Sequence, residues 1–122
     1  MTEELLARAD DAANRAYAPY SNYRVGAAVL TKDGKEFTGV NVENAAYPLG
    51  ICAEKSAIVA AATAGYRPGD IAAIAINAAP CGGCRQWLHE WRIADVTFRR
   101  SDGTIAHLTA DDLMPEAWDL PE

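Results

Sequence analysis

Basic residues are scarce in this chain: 11 Lys and Arg stand against 17 Asp and Glu, a formal charge of −6 over 122 residues. Tracking a polyphosphate backbone takes clustered Lys and Arg, so a nucleic-acid polymer is disfavoured as a partner. Long apolar runs are also missing. The longest strongly apolar run, IAAIAI at 71–76, is far too short to span a membrane. The start, MTEELLARAD, is acidic and amphipathic and does not read as a secretory signal. Bulky apolar residues are few, with 21 Val, Ile and Leu against 25 Ala. Small side chains let helices pack closely but bury little area each, which points to Ala faces covered by copies of the same chain. Cysteine occurs three times. An odd count without a secretory signal argues against a disulfide framework and for a cytoplasmic, thiol-containing protein. What remains is 50% apolar, enough for a core, at a length that fits one domain over 1–122.

The pattern reads as one α/β unit without repeats or linkers. Leu5, Ala9, Ala12, Ala13 and Ala16 lie at helical spacing and predict an amphipathic helix over 2–17. A strand over 25–30, an Asp33-Gly34 turn and a strand over 36–41 form a predicted hairpin. Residues 44–51 read as a loop before a helix over 52–64, stopped by Gly65. That helix is apolar on nearly every face and is expected to be buried, in the domain or between subunits. IAAIAI reads as a buried strand, 80–91 as a third helix, and 96–99 and 104–108 as short strands before an acidic terminal segment. The order is α, β, β, α, β, α, β, β, α, which implies a sheet covered on both faces.

Chemistry concentrates at two helix starts. Cys52 opens the second helix in C-A-E, and Cys81 and Cys84 open the third in P-C-G-G-C-R-Q. Cysteines three apart in a first turn share a face, and a helix N-terminus favours thiolate over thiol. Three thiolates make a metal site with its fourth tetrahedral position free, the pattern of catalytic rather than structural zinc. Three inert buried cysteines are the alternative. Glu54 is too close in sequence to chelate comfortably beside Cys52. At the same helix mouth it can meet a water at the open position and serve as general acid and base. Taken alone, it would read as a surface residue favoured by the helix dipole.

C-A-E…P-C-G-G-C is the all-cysteine form of the zinc deaminase pattern. With AYAPYSNYRVGAAVLTKDGK, FTGVNVENAAY, ICAEKSAI, PCGGCRQWL and the terminal LMPEAW, the chain resembles the small, homotetrameric, three-cysteine cytidine deaminases. The likeness is strong over about 15–90 and looser beyond. It implies a three-layer α/β/α fold with a five-stranded mixed sheet. It further implies Zn²⁺ on Cys52, Cys81 and Cys84, and hydrolysis of cytidine or 2′-deoxycytidine to the uridine product and ammonia. Glu54 would move protons to N3 and to the departing amino group. The substrate is then a small pyrimidine nucleoside, in a homotetramer whose active sites lie at subunit interfaces.

The same resemblance assigns Asn41 and Glu43 to the sugar 3′-hydroxyl. Positions i and i+2 of an extended segment share a side, so both can face one sugar; a polar strand face in water is the plain alternative. Tyr23 stands where the family commonly has Phe, and Trp118 where a terminal Phe reaches over a neighbouring subunit's pocket. Ala53 and Ala79 complete the substrate contacts, the Ala79 carbonyl accepting the leaving amino group. Lys55 replaces a family Arg beside the thiolates, and Arg85 is the other cation expected to draw charge from sulfur. Tyr47 matches a family tyrosine without a definite role. His89 and His107 match nothing catalytic and read as surface histidines.

One departure is a gap. Related enzymes carry several more residues between the buried strand and P-C-x-x-C, whereas here only Asn77, Ala78 and Ala79 intervene. A shorter wall near N4 and C5 predicts a pocket tolerant of substituted cytosine nucleosides. Other readings are a blasticidin-S-type deaminase, a polynucleotide deaminase, which the acidic charge disfavours, and a zinc-stabilised binding module without catalysis.

Overall fold

In a computed structural model, which describes residues 2–121, the elements follow the predicted order. They are α1 (Thr2–Ala13), β1 (Gly26–Thr31), β2 (Glu36–Val40), α2 (Ala53–Thr63), β3 (Ile71–Ile76), α3 (Gly82–Glu90), β4 (Asp95–Arg99), β5 (Ile105–Leu108) and α4 (Ala110–Leu113). A single 3-10 turn, Tyr47–Leu49, interrupts the predicted loop before α2. The five strands form one sheet in the order β2-β1-β3-β4-β5. β3 and β4 are parallel and the other neighbours antiparallel, so the sheet is mixed.

Alternation along the strands divides the core into two. Leu5, Leu6 and Ala9 of α1 pack on Ala28 and Ala75, which point to one face of the sheet. Ala53, Ala57 and Ile58 of α2 and Leu88 of α3 meet Val29, Ile74 and Val96 on the other. Three layers result, α1 over one face and α2 with α3 over the opposite one. Most of the fully buried alanines face this sheet: Ala9, Ala28, Ala53, Ala57, Ala61 and Ala75 are at 0% exposure within one chain. The alanine surplus therefore serves close helix–sheet docking inside the chain, and on the outer side of α2 Val59 is exposed on one chain.

The first helix stops at Ala13 rather than 17. Two tight turns follow, Arg15 N–H to the Ala12 carbonyl and Ala16 N–H to the Ala13 carbonyl. Tyr17 then leaves to form an isolated parallel bridge with Val42. That long-range pairing ends the helix, although Ala16 keeps the helical spacing.

Topology fixes where chemistry can occur. β2 and β3 both run antiparallel to β1, so their carboxyl ends lie at the same end of the sheet. β2 feeds α2 and β3 feeds α3, which brings both helix N-termini to that end, the usual ligand side of an α/β sheet.

Candidate active site and metal centre

Both helices begin on a cysteine. Cys52 is the N-cap of α2 and Cys81 the N-cap of α3, each with extended backbone and no side-chain capping hydrogen bond. Ser, Thr, Asp or Asn normally fills this position, so here the first-turn N–H groups are left facing sulfur. Cys84 follows in the first turn of α3. The three Sγ atoms lie within 4.8 Å of one another, with Cys52 and Cys81 at 3.9 Å. A tetrahedral zinc with Zn–S bonds of about 2.3 Å holds its sulfurs roughly 3.8 Å apart. Among the described residues this is the only cluster of three or more metal-binding side chains.

The electrostatics of the cluster call for a cation. Burial pushes the Cys52 thiol up. Cys84, fully buried, is raised further by burial and by the charges of Glu54 and Cys52. Cys81 is also opposed by burial, yet it falls below its usual value because the N–H groups of Cys84 and Gly83 and the other two thiols favour its anion. One thiolate is comfortable there and three are not, unless a divalent ion neutralises them. The donor set fits zinc, and all three cysteines are free of disulfides.

Glu54 sits in the first turn of α2, only 4% exposed. Burial raises its pKa above the ordinary carboxylate value. Its own backbone N–H, the Cys84 thiol and the Lys55 ammonium pull the other way. A carboxyl whose pKa is raised by burial holds a proton more readily than a free one, as an acid–base group must.

The zinc-binding region model of cytidine and deoxycytidylate deaminases matches residues 1–100. The chain belongs to the cytidine and deoxycytidylate deaminase family. The cytidine deaminase of Halalkalibacterium halodurans is 42% identical over 93% of this chain and 91% of its own length. That of Mycobacterium tuberculosis is 38% identical over 97% and 90%. A crystal structure of cytidine deaminase from Burkholderia pseudomallei superposes with a TM-score of 0.91 at 45% identity, covering 97% of this chain and 99% of that one. The chain is accordingly an enzyme of this family, and zinc is its cofactor.

Outside the thiol cluster, several of the residues singled out from sequence are already occupied. Val42 exchanges two backbone hydrogen bonds of 2.9 Å with Ile51. This bridge sets Asn41 and Glu43, on either side of Val42, beside the strand entering Cys52. Neither lies idle in water. Asn41 Oδ1 accepts from Val25 N–H at 2.9 Å and Nδ2 donates to the Tyr23 carbonyl at 2.8 Å. Glu43 accepts the N–H groups of Tyr20 and Ser21 at 3.0 and 3.1 Å and the Ser21 hydroxyl. The Ser21 hydroxyl is the main reason its pKa is held down, against a smaller opposing effect of burial. Asn41 keeps one N–H and Glu43 one acceptor direction for a ligand.

Lys55 lies over the cysteine loop, for a Cβ on Gly83 would be 3.7 Å from its Nζ. Arg85 goes elsewhere: Nε donates to the Pro80 carbonyl at 3.0 Å and Nη1 to Leu113 at 3.5 Å. Its observed hydrogen bonds therefore brace the Cys81 approach against α4. The Ala53 methyl is buried in the core, leaving its unpaired first-turn N–H as the group that can face a ligand. Tyr23 and Ala79 line a cleft of about 820 Å³ with Asn77, Arg85, Phe98 and Leu113. Trp118 is exposed, and Tyr47 stands edge-on to Tyr20 at 6.1 Å.

Sequence reasoning passed over three positions. Ser21, besides binding Glu43, accepts from Tyr23 N–H at 3.0 Å, a local turn that its S-x-Y spacing could have signalled. Asn77 accepts from Gly26 N–H at 2.9 Å and donates to the Arg24 carbonyl at 3.3 Å, tying down the short connection before Pro80. His89 is no spare surface histidine: it bonds Asp119 at 2.8 Å and its other ring nitrogen is buried.

Proposed function

We propose that this chain hydrolyses the 4-amino group of cytidine and 2′-deoxycytidine, giving the uridine product and ammonia, with Glu54 moving the protons. The observation that carries this is the buried Glu54 in the first turn of α2, beside three converging thiols with a fourth position free. Bound zinc supplies a Lewis acid that makes a water nucleophilic near neutral pH. Glu54 would take a proton from the attacking water and deliver it to N3 as the C4–O bond forms, then take the proton of the new C4 hydroxyl and give it to the 4-amino group as the C4–N bond breaks and ammonia leaves. Its burial suits both tasks, because a carboxyl raised above its ordinary pKa accepts a proton more readily and can return it.

The other residues bind and orient. Asn41 and Glu43 take the sugar 3′-hydroxyl with the donor and acceptor left over from anchoring residues 20–25. The Ala53 N–H faces the base, the Ala79 carbonyl faces the leaving amino group, and Tyr23 supplies a flat wall. Lys55 offsets thiolate charge, and Arg85 holds the loop that presents Cys81. Residues 1–122 act as one domain, and four copies share their sites, with Trp118 of one copy over the pocket of another. A connected apolar surface supports the assembly. Tyr17, Val42 and Ile51 are joined by bridges and Tyr20 and Tyr47 by ring contact, all exposed on one chain.

The cleft at Ala79 supports a wider substrate range, including N4- and C5-substituted cytosine nucleosides. Ultraviolet absorbance of a nucleoside panel on metal-quantified protein tests both statements. Turnover of cytidine in proportion to zinc is expected, and none from fully loaded protein would refute the activity. Rejection of every substituted analogue would remove the wider range alone.

A further inference from the structure

His89 stands between two carboxylates. It lies in the last turn of α3, with Nε2 2.8 Å from Asp119 Oδ1. Nδ1 is buried without a hydrogen bond, and Asp111 Oδ1 is 3.5 Å from it. Gln86, one turn earlier, donates its Nε2 to the Trp118 carbonyl at 3.0 Å. Two successive residues of the terminal strap are thus clipped to one helix, although residues 117–121 have no regular structure of their own. The Trp118 side chain meanwhile remains 63% exposed. Such clips fix a backbone while leaving its aromatic ring for something outside the chain.

A neutral imidazole has one N–H and one lone pair, so one nitrogen would turn its lone pair toward a carboxylate. The imidazolium offers N–H to both. The charged groups that face the ring are Asp119 of the strap and Asp111 of α4, with Arg92 just past the end of α3. Arg92 and Asp111 share a cleft with His89, and the facing acids outnumber the one cation. We infer that His89 is a positioning residue whose charged ring, with Gln86, fastens the strap to the helix carrying Cys84 and so presents Trp118 to a neighbouring copy's site. The effect on turnover rests on the deaminase reading above; the fastening itself does not.

The sign follows from linkage. Chiefly through its hydrogen bond to Asp119, the His89 pKa is raised above its ordinary 6.5. Fastening is complete below the ordinary value and is lost as pH rises through the raised one.

The experiment compares wild type, His89→Gln and His89→Lys as zinc-loaded full chains from about pH 6 to about pH 9, spanning the histidine range. Hydrogen exchange of residues 114–121 is read as a variant-to-wild-type ratio at each pH, beside kcat and KM for cytidine. For His89→Gln, strap exchange and KM are expected to be several-fold above wild type at the acid end and to converge with it at the alkaline end, kcat per zinc staying level. His89→Lys, a cation throughout, keeps the strap protected and KM low at every pH. Equal strap exchange in wild type and His89→Gln at all pH values overturns the fastening. Faster exchange with unmoved KM overturns the positioning role. A wild type that turns over no cytidine sinks the deaminase reading, while the exchange ratio still decides the fastening.

Discussion

Gly39 of β2 and Ala57 of α2 meet backbone to backbone: a Cβ on Gly39 would fall 2.2 Å from the Ala57 nitrogen and 2.7 Å from the Ala53 carbonyl oxygen. The helix seated on this glycine presents Cys52 and Glu54. Its position over the sheet is therefore set by the absence of one methyl group. Gly39→Ala should displace α2 and cost at least the ~1–3 kcal/mol typical of overpacking. Thermal unfolding and zinc content are both expected to fall, and an unchanged metal stoichiometry with full stability would contradict the contact.

Removing the proposed proton carrier has a different signature. Glu54→Gln keeps the side-chain volume and removes no thiol ligand, so zinc should be retained while kcat drops by about 10²–10⁴-fold, the usual worth of acid–base catalysis. Nucleoside affinity should change far less. Steady-state kinetics on metal-quantified protein read the two apart.

Metal removal should unmask the thiols. With zinc bound, Cys52, Cys81 and Cys84 are expected to react slowly with a thiol reagent. After chelation the Cys81 thiol, the one favoured as an anion, should react first and Cys84, fully buried, last. Activity is expected to vanish with the metal and return on adding zinc.

Ser21→Ala leaves the metal centre untouched and removes the hydroxyl that Glu43 accepts. The Glu43 carboxylate then loses part of what holds it toward the sugar side. KM for cytidine should rise several-fold with kcat nearly constant. A fall in kcat at unchanged KM would count against a binding role for Glu43.

Asp33 gives a pH test away from the site. The Thr31 hydroxyl foremost, and then the Tyr66 hydroxyl, hold its pKa below 3.8, with Tyr66 Oη at 2.9 and 3.0 Å from the two carboxylate oxygens. A depressed carboxylate adds stability above its unfolded pKa and loses it as pH falls through the folded value. Asp33→Asn should lower the melting temperature by a few degrees at neutral pH, and the gap should close in acid. A gap that widens in acid would reverse the sign.

How much of this could be read in advance depended on how local the cause was. β3 lies at 71–76 as expected, because an apolar run bounded by Asp70 and Asn77 has no other use. α1 was overextended because Ala16 keeps helical spacing while the pairing that ends the helix, Tyr17 with Val42, spans 25 residues. Arg85 stood next to Cys84 in sequence, yet its observed hydrogen bonds reach the Pro80 and Leu113 carbonyls, which come together only once α3 and α4 pack.

The candidate chemistry belonged to the sequence: C-A-E and P-C-G-G-C name the cysteine cluster and the proposed acid, because both helix N-caps and the residues of their first turns are neighbours along the chain. Three scarce cysteines were enough to point to one site. Their convergence within 4.8 Å, the burial that raises Glu54, the second duty of Asn41 and Glu43 as anchors, and the pairing of His89 with Asp119 were decided only by tertiary structure. Each depends on groups between 16 and 32 residues apart being packed to contact, and burial and shared hydrogen bonds exist only between surfaces that have met.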